Sequence, residues 1–230
     1  MGSSPFSQKL PALGQDSGKT YRLGIMGGTF DPIHYGHLVT AEQAREALGL
    51  DVVLFMPAGA PAFKLDQAVT DPEDRYAMCV LATAANPSFL ASRFEIDREG
   101  VTYTVDTLRA LREHYPENVE LYFITGADAI LDIVTWHDAE DIARLATLIA
   151  ATRPGYDIDT AKRRIERSGM HFDVRYIQIP ALSISSTNIR ERVRSNKSVR
   201  YLTSESVLGF IKKNGLYSDD PHEVKGEVQK

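Results

Sequence analysis

The chain reads as an α/β protein built on one doubly wound parallel sheet, and three observations predict it. Short β-rich runs alternate with helix-periodic stretches from end to end, the pattern of repeated β–α units. The run Leu121–Ile124 is apolar on both faces, as a strand covered by helices on both sides must be. Segments rich in Gly, His, Ser and Arg stand just after the strands, where open α/β sheets collect their ligands.

Taken in order, an apolar strand at Arg22–Met26 runs into Gly27 and Gly28, and a helix at Tyr35–Leu48 stops at Gly49, a residue suited to a helix C-terminus. Strand Val52–Met56 leads into the Pro- and Gly-rich loop Pro57–Lys64. Helix Pro72–Ala85 carries the apolar run Tyr76-Ala-Met-Cys-Val-Leu-Ala82, so Cys79 reads as a buried structural thiol. Strand Phe89–Glu95, helix Val105–His114, strand Val119–Thr125 and helix Asp138–Leu145 follow. Strand Leu148–Thr152, helix Asp159–Ser168, strand Phe172–Gln178 and helices Thr187–Ser195 and Ser204–Lys213 complete the pattern. There is no internal repeat or low-complexity linker within 21–217, so one domain is expected there, between a disordered leader (1–20) and a disordered tail (218–230).

Composition narrows the function. A formal charge of −5 argues against broad nucleic-acid binding, although nucleotides can still be held where cations concentrate locally. One cysteine excludes an internal disulfide and fits a reducing cytoplasm. No run of eighteen apolar residues predicts a membrane span. Neither a membrane nor a nucleic-acid partner is expected, and a homo-oligomer is left open.

Residues 24–37, Gly-Ile-Met-Gly-Gly-Thr-Phe-Asp-Pro-Ile-His-Tyr-Gly-His, carry the chemistry. Gly27 and Gly28 lack a Cβ and let backbone approach a ligand. The following helix presents unpaired N–H groups and the positive end of its dipole, which suit a phosphate. His34 and His37 share one face of its first turn. The spacing matches neither the dinucleotide-binding glycine fingerprint nor a P-loop, so phosphate charge must be met by imidazole and backbone. Two histidines at this spacing suit half a metal site, but no Cys or nearby Glu completes it, and no protein metal site is expected. Helix capping by one histidine and packing of the other is the competing reading.

Gly-Gly-Thr-Phe-Asp-Pro-Ile-His-x-Gly-His resembles the signature of the nucleotidyltransferase superfamily, and Gly28–His37 is most similar to the bacterial nicotinate-nucleotide adenylyltransferases. Four later segments resemble the same family in order: Arg98–Leu108 with Tyr103-Thr104, Phe123–Ala129 with Thr135-Trp136-His137, Arg153-Pro-Gly-Tyr156, and Ile184-Ser-Ser-Thr-Asn-Ile-Arg190. The resemblance covers about residues 21–217 and implies a Rossmann-like nucleotidyltransferase fold. It implies transfer of AMP from ATP to nicotinate mononucleotide in NAD biosynthesis, releasing pyrophosphate, with Mg2+ carried by ATP.

The same resemblance implies site roles. His34 and His37 would be catalytic, donating hydrogen bonds to the ATP phosphates. Gly27, Gly28, Thr29, Phe30, Ser185, Ser186, Thr187 and Arg190 would bind ATP. Lys64, Tyr103, Thr104, Val105, Gly126, Asp128, Trp136, His137 and Arg153 would bind the mononucleotide, with Trp136 stacked on the pyridine ring. Asp31 would touch the magnesium water shell or else cap its own loop. Simple N-capping competes at Ser185 and Ser186, core packing at Trp136, and solvation at Lys64. The chain departs from the usual family pattern at Ala62, Phe63 and Thr125, which bears on how the mononucleotide is gripped. Sister nucleotidyltransferases acting on nicotinamide mononucleotide or phosphopantetheine share the histidine motif. An aminoacyl-tRNA synthetase fragment would need extensions that this chain lacks, and a non-catalytic nucleotide sensor would have less use for both histidines.

Overall fold

A computed structural model describes residues 10–61 and 69–218. In chain order its elements are β1 (Tyr21–Gly28), α1 (Tyr35–Leu48), β2 (Val52–Pro57), β3 (Ala60–Pro61), α2 (Pro72–Thr83), β4 (Phe89–Ala91), β5 (Val101–Thr102) and α3 (Thr104–His114). There follow β6 (Val119–Gly126), α4 (Ala127–Leu131), a 3-10 turn at Ile133–Thr135, α5 (Ala139–Leu145), β7 (Thr147–Thr152), α6 (Ile158–Ser168), β8 (Val174–Gln178), α7 (Ser186–Arg194) and α8 (Glu205–Lys213).

Six strands form one sheet in the order β4-β2-β1-β6-β7-β8, every pairing parallel, with Met26 opposite Phe55 and Leu23 opposite Leu121. The winding reverses between β1 and β6, which makes their carboxyl ends the switch point at which such sheets bind ligands. The strands alternate as a doubly covered sheet requires. Leu23, Ile25, Leu54, Met56, Leu121, Phe123 and Leu148 face a core built with α3 and its neighbours. Met26, Val53, Phe55, Ile124 and Ile149 face a second core with Ala41, Ala44, Met78, Cys79 and Val207. Cys79 is wholly buried, and burial pushes its thiol pKa up, so it stays an inert thiol.

Local chemistry explains the helix limits. Asp71 caps α2 by accepting from the Glu73 N–H at 2.8 Å, with Pro72 at the first helical position. Asp157 caps α6 and Ser204 caps α8 in the same way, and Gly49 closes α1 with φ 61°.

The structure differs from expectation at several points. The strand expected over Phe89–Glu95 stops at Ala91, because the Ser92 hydroxyl accepts the Phe94 N–H at 3.1 Å and turns the chain. Strand β8 begins at Val174 rather than Phe172. The pair β3–β5 was not foreseen; two-residue strands have no periodicity to read. Residues 10–20, assigned to the leader, are in contact with the domain: Leu10 and Leu13 pack on the core, and the Tyr115 hydroxyl donates to the Pro11 carbonyl at 2.8 Å. Residues 1–9 of that leader, the tail from 219 and Lys64, with Ala62 and Phe63, lie outside the described residues.

Candidate active site

The loop between β1 and α1 is shaped by its own side chains. A Cβ on Gly28 would lie 3.1 Å from the Phe30 ring, and Phe30 itself adopts φ 50° and is buried. A Cβ on Gly27 would meet Phe123 at 3.3 Å. On the side a Cβ would occupy, the two glycines make room for aromatic rings of the protein. Phe30 then stands edge-on to His37, with ring centroids 5.0 Å apart.

His34 is the N-cap of α1 and His37 lies one turn in. Their rings stack, centroids 3.8 Å apart and planes at 21°. The His37 Nδ1 accepts the backbone N–H of His34 at 3.2 Å, so a neutral His37 carries its proton on Nε2. His34 is only 6% exposed, and burial pushes its pKa down to about 4, which keeps the ring neutral near pH 7. Gly36 permits the arrangement: a Cβ there would sit 2.9 Å from His34 Nδ1 and Cε1.

Both histidines line a cavity of about 400 Å³ at the carboxyl ends of the central strands. Gly126, Asp128 and Arg153 also line it, as do Ser185 and Ser186 at the N-terminus of α7. The structure thus brings together the two catalytic candidates, two of the hydroxyls and three of the mononucleotide candidates. Asp128 stands in the first turn of α4 without capping it, since Gly126 is the N-cap. Ser185 does cap α7, accepting the Asn188 N–H at 3.2 Å.

Members of the expected ATP set also hold the loop: Arg190 does so from outside the cavity lining, and Ser186 from within it. The Arg190 guanidinium donates to the Asp31 carbonyl at 2.6 Å, and the Ser186 hydroxyl donates to the Pro32 carbonyl at 2.9 Å. Thr203 does the same for the Ile33 carbonyl at 2.8 Å. Thr187 accepts from Arg190 at 3.3 Å. The Asp31 carboxylate is committed to protein as well, accepting from the Tyr217 hydroxyl at 2.7 Å and from the Thr70 N–H at 3.3 Å. That carboxylate ties the loop to the entry of α2 and to the segment after α8.

Sequence reasoning missed three residues here. Arg75 is 1% exposed and donates to the carbonyls of Thr29 and Thr70 at 2.8 Å and of Gly59 at 3.1 Å, joining the segments after β1 and β2. Tyr217 was placed at the edge of the domain. Glu95 was placed in a strand; it is buried, accepts the Thr107 hydroxyl at 2.7 Å, and burial pushes its pKa up to about 7.

Of the remaining mononucleotide candidates among the described residues, none belongs to the cavity lining. Tyr103 and His137 meet with ring centroids 4.5 Å apart, and Trp136 stands edge-on to Phe123 at 6.1 Å. Tyr103 is the N-cap of α3 and makes no side-chain hydrogen bond to it, while Val105 is wholly buried in the core. Phe123 links this cluster to the end of β1 through Gly27. Among the described residues, no group of three or more His, Cys, Asp or Glu is placed to hold a metal, and no helix is long and apolar enough to cross a membrane.

The cytidylyltransferase-like family model matches residues 25–192, which spans the histidine loop, the cavity and most of α7. A probable nicotinate-nucleotide adenylyltransferase of Moorella thermoacetica is 54% identical over 199 residues, covering 85% of this chain and 91% of that protein. Its counterpart in Thermoanaerobacter sp. is 51% identical, covering 86% and 95%. The chain belongs to the nicotinate-nucleotide adenylyltransferase family. Among solved structures, the Plasmodium falciparum nicotinic acid mononucleotide adenylyltransferase complexed with NaAD superposes with a TM-score of 0.70 at 21% identity, covering 86% of this chain and 97% of that one. The same protein complexed with APC gives 0.68 at 20% identity, again with 86% of this chain and 97% of that one covered. At that identity the two likenesses bear on the fold, and they agree on the nucleotidyltransferase architecture.

Proposed function

We propose that this chain transfers AMP from ATP to nicotinate mononucleotide, forming nicotinate adenine dinucleotide and pyrophosphate. The observation that carries this reading is the stacked His34–His37 pair, set in a cavity where the N-termini of α1 and α7 meet. The mononucleotide phosphate is already anionic, so its in-line attack on the α-phosphorus needs no general base. Catalysis then rests on positioning and on stabilising charge over the phosphate oxygens.

His37 supplies a donor whose direction is fixed, because its Nδ1 is engaged and its proton stands on Nε2. His34, neutral and buried, supplies a hydrogen bond rather than a permanent charge. Ser185, Ser186 and the free N–H groups of the first turn of α7 receive the triphosphate with Arg153 at the cavity wall. Thr29, Phe30, Thr187 and Arg190 act through the loop they build. Asp128 serves a ribose hydroxyl.

The nicotinate ring goes to the Tyr103, Trp136 and His137 cluster. Its carboxylate goes to Thr104 and the first-turn N–H groups of α3, which the Tyr103 side chain leaves uncapped. Such donors favour a carboxylate over a carboxamide. Nucleotidyltransferases generally use a divalent metal with ATP. Magnesium fits as a companion of the triphosphate, because Asp128 is the one carboxylate among the residues lining the cavity, the rest of whose polar groups are chiefly imidazoles, hydroxyls, N–H groups and Arg153, and the nearby Asp31 carboxylate is committed. When bound, it would neutralise charge on the phosphate oxygens. We place the reaction in the cytoplasm, where a lone thiol such as Cys79 stays reduced.

Pyrophosphate release with ATP and magnesium, compared across nicotinate mononucleotide, nicotinamide mononucleotide and phosphopantetheine, tests the reading. Fast release with the nicotinate acceptor supports it. Fast release with another acceptor alone keeps the histidine chemistry and refutes the acceptor assignment, and no release with any refutes both.

A further inference from the structure

The C-terminal end of α8 reaches the catalytic loop. Asn214 ends the helix, Gly215 and Tyr217 adopt φ of 62° and 66°, and Leu216 packs on the core beside α1 and α2. The left-handed backbone at Tyr217 is uncommon for a bulky residue, and persists where surroundings fix it. Its phenol is turned inward and donates to Asp31 Oδ1 at 2.7 Å. Asp31 is 4% exposed, and its other oxygen accepts the Thr70 N–H at 3.3 Å. One carboxylate therefore joins three segments: the end of α8, the loop leading into His34, and the stretch entering α2.

We infer that Tyr217 is a positioning residue for catalysis, acting through the Asp31 carboxylate on the loop that aims His34 and Phe30. The inference rests on the reaction proposed above. Asp31 stands three residues before His34, and Phe30 beside it braces the His37 ring. A buried carboxylate that loses a donor must find another or shift, because an unmet charge in a dry site is costly. The loop is the part able to yield, since its neighbouring carbonyls at Asp31, Pro32 and Ile33 are each held by a single long-range side-chain donor. Displacement of the stacked histidines by a fraction of an ångström would weaken phosphate stabilisation without removing the ATP site.

Tyr217→Phe removes the hydroxyl and keeps the ring. The wild type is assayed first with ATP, magnesium and nicotinate mononucleotide; an inactive wild type would count against the proposed reaction and leave Tyr217 to be judged by amide exchange. In an active enzyme, Tyr217→Phe should lower kcat about tenfold, with the KM for ATP changed less than twofold. In an Asp31→Ala background, which has no side-chain acceptor for the phenol, the same change should cost little more. Amide exchange in the ligand-free protein should rise across residues 30–35 while α8 stays protected. Normal turnover, or an equal loss in both backgrounds, would overturn the inference. So would exchange that rises only in α8, which is what a purely structural tyrosine would give.

Discussion

Gly36→Ala separates folding from catalysis in this site. In a helix alanine is favoured over glycine by about 1 kcal/mol, so helix propensity alone says the variant should be no less stable. The added methyl, however, would lie 2.9 Å from two atoms of the His34 ring. Carbon atoms pack at about 3.5 Å or more, so the ring must give way by roughly 0.6 Å. It cannot swing into solvent, being 6% exposed, and it cannot move alone, because it is stacked on His37 at 3.8 Å. Displacements on the order of 1 Å cost about a hundredfold in well-oriented reactions. The variant should therefore melt within about 4 °C of the parent, the equivalent of about 1 kcal/mol or less. Its kcat in a pyrophosphate-release assay should fall by about two orders of magnitude. Parental kcat would refute the claim that the stacked geometry of His34 matters.

Arg75→Ala should destabilise the fold by about 3 kcal/mol or more, because three carbonyls lose their donor and a buried side-chain volume empties. A lower urea midpoint at unchanged slope is the expected signature, and a loss under about 1 kcal/mol would contradict the role given to Arg75. Glu95 titrates near 7 in the folded state against an ordinary 4.5, so the folded protein holds an extra proton between those values. Its contribution is present below pH 4.5 and is lost as pH rises to 7, by roughly 3 kcal/mol at most. Glu95→Gln can still accept from Thr107 and should flatten that decline; parallel stability curves would contradict it. His34 acts in the opposite sense. Its folded pKa of about 4 lies below the ordinary 6.5, so stability is lost as pH falls through that window, and His34→Gln should remove the slope.

The sheet and the motif-bearing loops were legible because both rest on local signals. Alternating apolar residues fix which face each strand buries, and turn residues mark where it ends, so strand and helix positions agree with the structure to within a few residues. The two-histidine site was legible for the same reason, since its partners are three apart on one helix. What sequence could not show depends on distant contacts. Nothing near Gly27 and Gly28 in the sequence shows that the Phe123 and Phe30 rings stand where a Cβ would be. Tyr217 meets a carboxylate 186 positions away, and no local pattern announces it. Arg190 and Ser186 were read as ligand groups because hydroxyls and guanidinium at a helix start suit phosphate; that they also donate to the loop carbonyls of Asp31 and Pro32, more than 150 positions away, has no local signal. Arg75 did leave a trace: it stands three and four residues before Met78 and Cys79, on the apolar face of α2. A charge on that face means a buried partner, here three carbonyls.

The central claim is that the stacked imidazoles act on the triphosphate, and His37→Ala tests it most directly. Steady-state turnover of ATP and nicotinate mononucleotide should fall at least a hundredfold, with the melting temperature little changed because His37 is only half-buried. Turnover close to that of the parent would contradict the account.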